Sequence, residues 1–143
     1  MKRRTLFTTF AASALASLAA RAAAAEETRA GRVVYHLASA DKVAFALGNM
    51  RNHRAGGPEG LKLAAVVHGS ALGMFTARTA AESMQREFAA RREAGDVFYA
   101  CANTLAAHQW TLADLLPGFA LAEKGGVVKL ADLQAQGFIY LRP

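Results

Sequence analysis

Short β-branched or aromatic runs alternate with amphipathic helical stretches, and this alternation constrains the fold more than any other feature of the chain. Strands are predicted at residues 32–38, 61–68, 96–101 and 138–141. The first two are apolar on both faces, as a central parallel strand must be. The chain is therefore predicted to be a single α/β domain, with a mostly parallel sheet of about five strands and helices on both faces.

Capping residues and glycines predict where the helices between these strands begin and end. Asp41 is predicted to cap the first helix, and Gly56 to end it. Thr79 and Thr111 each begin a capping-box pattern, in which an acidic side chain follows three residues later. A last helix is predicted over residues 127–136, after two glycines.

The first 25 residues have the layout of an export signal. A basic start is followed by an uncharged, mostly apolar run over residues 6–20, and three alanines precede the expected cleavage after about Ala25. The run is shorter than the ~20 residues that cross a bilayer as a helix, so a cleaved signal is favoured over an anchor. Arg3 and Arg4 resemble a twin-arginine signal, with a general secretory signal as the alternative. We therefore expect a periplasmic domain over residues 26–143.

Charge gives no reason to expect nucleic acid or a membrane as the partner of the mature domain. The whole chain carries a net charge of +6, but four of its positive residues lie in the signal segment, which leaves +2 on the mature domain. Cys101 is the single cysteine, so no intrachain disulfide can form and the fold depends on its packed core.

Side chains that can carry chemistry fall at the predicted carboxyl ends of the strands, where parallel sheets bind their ligands. His36 lies near the end of the first strand, His68 closes the second and Cys101 closes the third. Asn103 is predicted to cap a following helix, whose positive end would favour a Cys101 thiolate, with His68 as cationic neighbour or base. The alternative is that Cys101 is a small buried hydrophobe.

The remaining histidines and glycines give weaker signals. His36 can simply be hydrogen-bonded in the core, and Asn52 and His53 fall at a helix end, where a cation interacts with the helix dipole. The chain has no closely spaced histidine pair or paired cysteines for a metal, and Gly69 begins a glycine loop without the lysine of a phosphate loop. Neither a metal nor a cofactor is predicted.

Five segments, taken in order, resemble the DsrE/DsrF-like sulfur-relay family. They are Val33-Val34-Tyr35-His36-Leu37, Gly48-Asn49-Met50-Arg51-Asn52-His53, Val66-Val67-His68-Gly69, Cys101-Ala102-Asn103-Thr104-Leu105 and Asp114-Leu115-Leu116-Pro117-Gly118. The resemblance implies a compact, mostly parallel domain that forms homo-oligomers, often trimers or hexamers, with sites near subunit boundaries. It also implies a rim cysteine that carries sulfur as a persulfide to a partner protein.

These observations lead to the hypothesis of a periplasmic sulfur carrier, acting between a sulfur donor and an acceptor protein. Cys101 would accept sulfane sulfur, His68 would tune the thiol and Asn103 would orient the loop. Weaker candidates for ligand contacts are His36, Gly69, Thr104, Asn52 and His53. One alternative is a non-catalytic homo-oligomeric module that binds a small ligand or metal and keeps a silent, buried cysteine. Another is a redox-sensing thiol.

Overall fold

The computed structural model describes residues 16–24 and 31–143. Residues 16–24 are helical and exposed, whereas the twin-arginine pair and the expected cleavage position after Ala25 lie outside the described residues. Within the described ranges, no helix has the length and apolar character needed to cross a membrane.

Five strands form one sheet in the order β4-β3-β2-β1-β5, and every neighbouring pair is parallel. The strands are β1 (Arg32–Leu37), β2 (Lys62–Val67), β3 (Val97–Cys101), β4 (Phe119–Ala122) and β5 (Ile139–Leu141). The helices are α1 (Val43–Gly56), α2 (Ser70–Gly73), α3 (Glu82–Glu93), α4 (Ala102–Ala107) and α5 (Gly126–Ala135), with 3₁₀ turns at Ala40–Lys42 and Leu112–Asp114.

Helices cover both faces of the sheet, and each face has its own apolar core. Helices α1 to α4 pack on one face, around buried side chains that include Val33, Leu47 and Phe98. Helix α5 packs on the other face through Leu130 and Leu133. Since side chains alternate along a strand, the strands present apolar residues in both directions. The predicted fold class, a five-stranded parallel α/β sheet in one domain, is confirmed.

Several predicted helix boundaries are wrong by a few residues, and side-chain bonding explains one of them. Helix α3 begins at Glu82 with Ala81 as its N-cap, because the Thr79 hydroxyl is hydrogen-bonded to Thr76. Cys101 is the N-cap of α4, so Asn103 lies inside that helix and does not cap it.

The two other predicted caps, Asp41 and Thr111, lie at 3₁₀ turns and not at the starts of α-helices. Asp41 lies in the turn before α1 and makes no side-chain cap. The capping box of Thr111 with Asp114 is confirmed, and it closes a 3₁₀ turn.

Candidate functional site

The parallel register brings three of the predicted site residues to one end and one face of the sheet. His36 pairs in register with Val66, so His68 follows two residues later on the same face, beyond the end of β2. Cys101 is the last residue of β3 and shares the face of Tyr99. All three side chains therefore point to the side of the sheet that α5 covers.

The Cys101 thiol lies where the first residues of two helices meet. The N–H of Gly126, the first residue of α5, donates a hydrogen bond to Cys101 Sγ over 3.1 Å. Burial raises the pKa of the thiol, but hydrogen bonds from the backbone N–H groups of Thr104, Gly126 and Asn103, and from the Thr104 hydroxyl, outweigh it, so the pKa is lowered. The surroundings therefore favour the thiolate.

Gly126 allows this close approach because it has no side chain. A Cβ at this position would lie 3.3 Å from Val66 Cγ1, 3.4 Å from His68 Cγ and 3.5 Å from Cys101 Cβ. The same small gap borders both the cysteine and the histidine, so these two residues lie on one side of the site. The Gly125-Gly126 pair predicts a helix start but not this contact, which depends on where α5 crosses the sheet.

A pocket of about 390 Å³ opens at Cys101. The candidates His68, Gly69, Asn103 and Thr104 line it together with the thiol. Its rim also carries Lys124 and His108, which the sequence analysis did not assign to the site. An exposed lysine gives the pocket a positive charge, which suits an anionic ligand.

Gly69 and Thr104 fix the shape of the pocket wall. Gly69 has φ +56°, and its N–H donates to Thr104 Oγ1 over 3.0 Å. A side chain at Gly69 would also meet the Ala38 carbonyl oxygen at 2.9 Å. These contacts join the loop after β2 to helix α4.

His36 and His68 form a pair of nearly coplanar rings beside the pocket, which meet end to end. Their Nε2 atoms are hydrogen-bonded to each other, and their ring centroids are 4.7 Å apart. Burial, the neighbouring His68 and the positive charge of Arg142 together lower the pKa of His36 to about 4, and burial and Arg142 lower that of His68. His36 Nδ1 is also 2.6 Å from the hydroxyl of Tyr140, on β5.

Asn52 and His53 are not brought to this pocket. His53 Nδ1 is 3.0 Å from the hydroxyl of Tyr35, whose ring lies in the core on the opposite face of the sheet. Asn52 lines a separate depression with Arg142. The two residues were proposed because they end a helix, and that signal carries no information on which face of the sheet the helix covers.

Among residues 16–24 and 31–143, no group of three or more His, Cys, Asp or Glu side chains is arranged to hold a metal ion. The pair of imidazoles can exchange protons, and the thiol can attack a substrate.

Two solved structures are similar to this one. MTH1491 from Methanobacterium thermoautotrophicum, described as a protein of unknown function, is 26% identical, covers 78% of this chain and 98% of its own, and has a TM-score of 0.71. The ychN protein from E. coli is 11% identical, covers 78% of this chain and 99% of its own, and has a TM-score of 0.58. No family model and no curated protein matches the chain. The similarities support the DsrE-like fold and assign no activity.

Proposed function

We propose that this DsrE-like domain carries sulfane sulfur as a persulfide on Cys101. The observation that carries the proposal is the position of Cys101 Sγ, which accepts an N–H hydrogen bond from α5 and further hydrogen bonds from α4. These donors lower the pKa of the thiol, and the thiolate is the form that attacks sulfur.

The transfer needs no reagent beyond the sulfur donor. The Cys101 thiolate attacks the outer sulfur of a polysulfide, and a new S–S bond forms at Sγ. The S–S bond of the donor breaks, and its electron pair leaves with the shortened polysulfide. The sulfur that moves is formally neutral, so no separate oxidant or reductant is consumed. His68, which lines the same pocket as Cys101, takes the thiol proton.

The rim of the pocket suits donors of this class. Polysulfides and persulfides are anions at neutral pH, and Lys124 supplies a positive charge where they would approach. The backbone donors around Sγ would stabilise the anionic persulfide in the same way as they stabilise the thiolate.

We further propose that the protein works in the periplasm as a homo-oligomer, a trimer or hexamer, that exchanges sulfur with a donor or acceptor protein. The signal-like first 25 residues support the location. Exposed apolar side chains on two helices, namely Phe45 on α1 and Val127 on α5, support self-association. Light scattering on the purified protein measures the subunit number.

The proposal is tested by the intact mass of the protein from the periplasmic fraction, after exposure to polysulfide and again after a thiol reductant. We expect the wild type to gain one sulfur that the reductant removes, and Cys101→Ser to gain none. The reductant step is needed because two added oxygens have nearly the same mass as one sulfur, and a sulfinate is not readily reduced. Full sulfur acceptance by Cys101→Ser would overturn the proposal. The same spectrum reports whether the signal is cleaved after Ala25.

The burial of Cys101 supports a second candidate, a ligand-binding module with a silent cysteine. The residue is only 4% exposed. If this candidate is correct, iodoacetamide modifies the denatured protein quickly and the native protein hardly at all. A carrier thiol reacts in the native state, because the pocket opens onto it.

A further inference from the structure

A row of hydrogen-bonding side chains crosses the sheet from its exposed edge to the Cys101 pocket. Tyr140 is 37% exposed on the edge strand β5, and its hydroxyl lies 2.6 Å from His36 Nδ1. His36 Nε2 is hydrogen-bonded to His68 Nε2. His68 lines the pocket, and since its Nε2 is engaged, Nδ1 is the ring nitrogen left for the pocket.

The bond between the two Nε2 atoms links the protonation of the two rings. A neutral imidazole carries one proton, so one Nε2 must donate and the other must accept. In the first arrangement His68 donates from Nε2 to His36, and His36 donates from Nδ1 to Tyr140. In the second arrangement Tyr140 donates to His36 Nδ1, His36 donates from Nε2, and His68 carries its proton on Nδ1.

Conversion of the first arrangement into the second moves one proton from the pocket to the surface. His68 Nδ1 takes a proton and passes its Nε2 proton to His36. His36 passes its Nδ1 proton to the Tyr140 oxygen, which releases its own proton to water. Each of the three groups holds the same number of protons before and after, so no charge remains on the row.

The surroundings favour the uncharged form of both histidines in this row. Burial lowers the pKa of both imidazoles, and the nearby positive Arg142 lowers both again. A single charged imidazolium is therefore unfavourable at this place, whereas a concerted shift of protons through neutral rings avoids it.

We propose that Tyr140, His36 and His68 form a proton relay that carries the Cys101 proton from the pocket to solvent at the edge strand β5. The relay rests on the proposed function for its use, because the Cys101 thiol must lose its proton before the thiolate attacks a sulfur donor. The hydrogen bonds that join Tyr140, His36 and His68 are observed whether or not the protein has that function. Tyr140 and His36 act through His68, and are positioning residues for the transfer.

The first test is the tautomer of each histidine, measured by ¹⁵N NMR of the imidazoles at neutral pH. We expect two neutral rings with one of the two Nε2 atoms protonated. Two protonated or two unprotonated Nε2 atoms would overturn the relay. Tyr140→Phe should change the Nδ1 signal of His36, and Tyr99→Phe, which removes a hydroxyl from the same face of the sheet, should not. This result does not depend on whether Cys101 accepts sulfur.

The second test is the rate of sulfur gain from polysulfide at a low buffer concentration. We expect Tyr140→Phe to slow the gain by about tenfold and concentrated imidazole buffer to restore it, because the buffer replaces the missing proton acceptor. Tyr99→Phe should react like the wild type at both buffer concentrations. A Tyr140→Phe rate equal to that of the wild type, or a loss that buffer does not restore, would overturn the relay.

The two tests separate failure of the relay from failure of the proposed function. If the wild type gains no sulfur, the carrier function is wrong. The tautomers still show whether the protonation states of His36 and His68 are coupled through their hydrogen bond. If Tyr140→Phe does not fold, the wild-type tautomers alone keep the relay falsifiable.

Discussion

Gly126 begins α5 close to the sheet, where its N–H reaches the Cys101 thiol. An added Cβ would lie 3.3 Å from Val66 Cγ1, so Val66 or the start of α5 would have to move by a few tenths of an ångström, whereas its distances of 3.4 Å to His68 Cγ and 3.5 Å to Cys101 Cβ are ordinary contacts. A small change here therefore acts on the chemistry of the site as well as on packing.

We expect Gly126→Ala to raise the pKa of the Cys101 thiol and to slow its alkylation by iodoacetamide at neutral pH, by about threefold to tenfold. The longer N–H···Sγ contact would stabilise the thiolate less. The matched control is Gly56→Ala, where a Cβ meets nothing within 4 Å. Equal alkylation rates for the two variants over a range of pH would show that the Gly126 hydrogen bond does not set the thiol pKa.

The sequence predicted which side chains stand at the strand ends, but not what surrounds them. His36, His68 and Cys101 were found because they follow apolar runs, and the carboxyl ends of parallel strands share one edge. Tyr140 and Gly126 were missed, because their role depends on strand order and on the place where α5 crosses the sheet. Neither feature leaves a local pattern in the sequence.

At the scale of elements, the end of α4 carries a strained residue beside the pocket. Gln109 has φ +57°, although glycine is the usual residue in this conformation at a helix end. Trp110 N–H donates to the Leu105 carbonyl over 2.9 Å, which closes the helix, and the Trp110 ring stacks on His108 at the pocket rim. The turn thus holds one wall of the pocket.

We expect Gln109→Gly to stabilise the protein by about 0.5–1 kcal/mol, because glycine adopts a positive φ without steric cost. The measurement is the free energy of unfolding from urea titration. Gln109→Ala is the control, since alanine keeps the strain, and it should give no gain. A Gln109→Gly protein no more stable than Gln109→Ala would argue against strain at this turn.

The elements themselves were largely predictable, with two omissions. Helix α2 (Ser70–Gly73) was predicted as a loop. β4 was not identified as a strand, because it has only four residues and lies half-buried at an edge of the sheet. The half-buried Arg54 of α1 has a partner that the sequence does not predict. Arg54 Nε donates to Asp96 Oδ1 over 2.9 Å, and Asp96 is fully buried. No pattern in the sequence predicts this ion pair between Arg54 and Asp96.

At the scale of the whole molecule, the half-buried histidine pair makes the stability of the fold depend on pH. The pKa of His36 falls from 6.5 to about 4 on folding, and that of His68 also falls. Between these values the unfolded chain binds more protons than the folded one, so the stability contribution of His36 is present above about pH 6.5 and is lost as the pH falls towards 4.

We therefore expect the free energy of unfolding to decrease from pH 6.5 to pH 4, and His36→Gln to make this decrease less steep. Urea titrations at several pH values give the slope. Tyr140→Phe is the control, because it removes the hydrogen bond to His36 and keeps the titrating ring. If His36→Gln and the wild type show the same slope, the folded protein does not hold His36 neutral.

The contact between β1 and β5 also bears on how quickly the domain can fold. His36 and Tyr140 are 104 residues apart, whereas the pairing of β1 with β2 spans a much shorter loop. Closing a long loop costs more entropy, and domains rich in distant contacts fold more slowly than those built from local ones. We therefore expect β1, β2 and β3 to associate first and β5 to add afterwards. We expect the row of Tyr140, His36 and His68 to be among the last features of the native state to form, because Tyr140 lies on β5. The pocket and its row of side chains would then be complete only when folding ends.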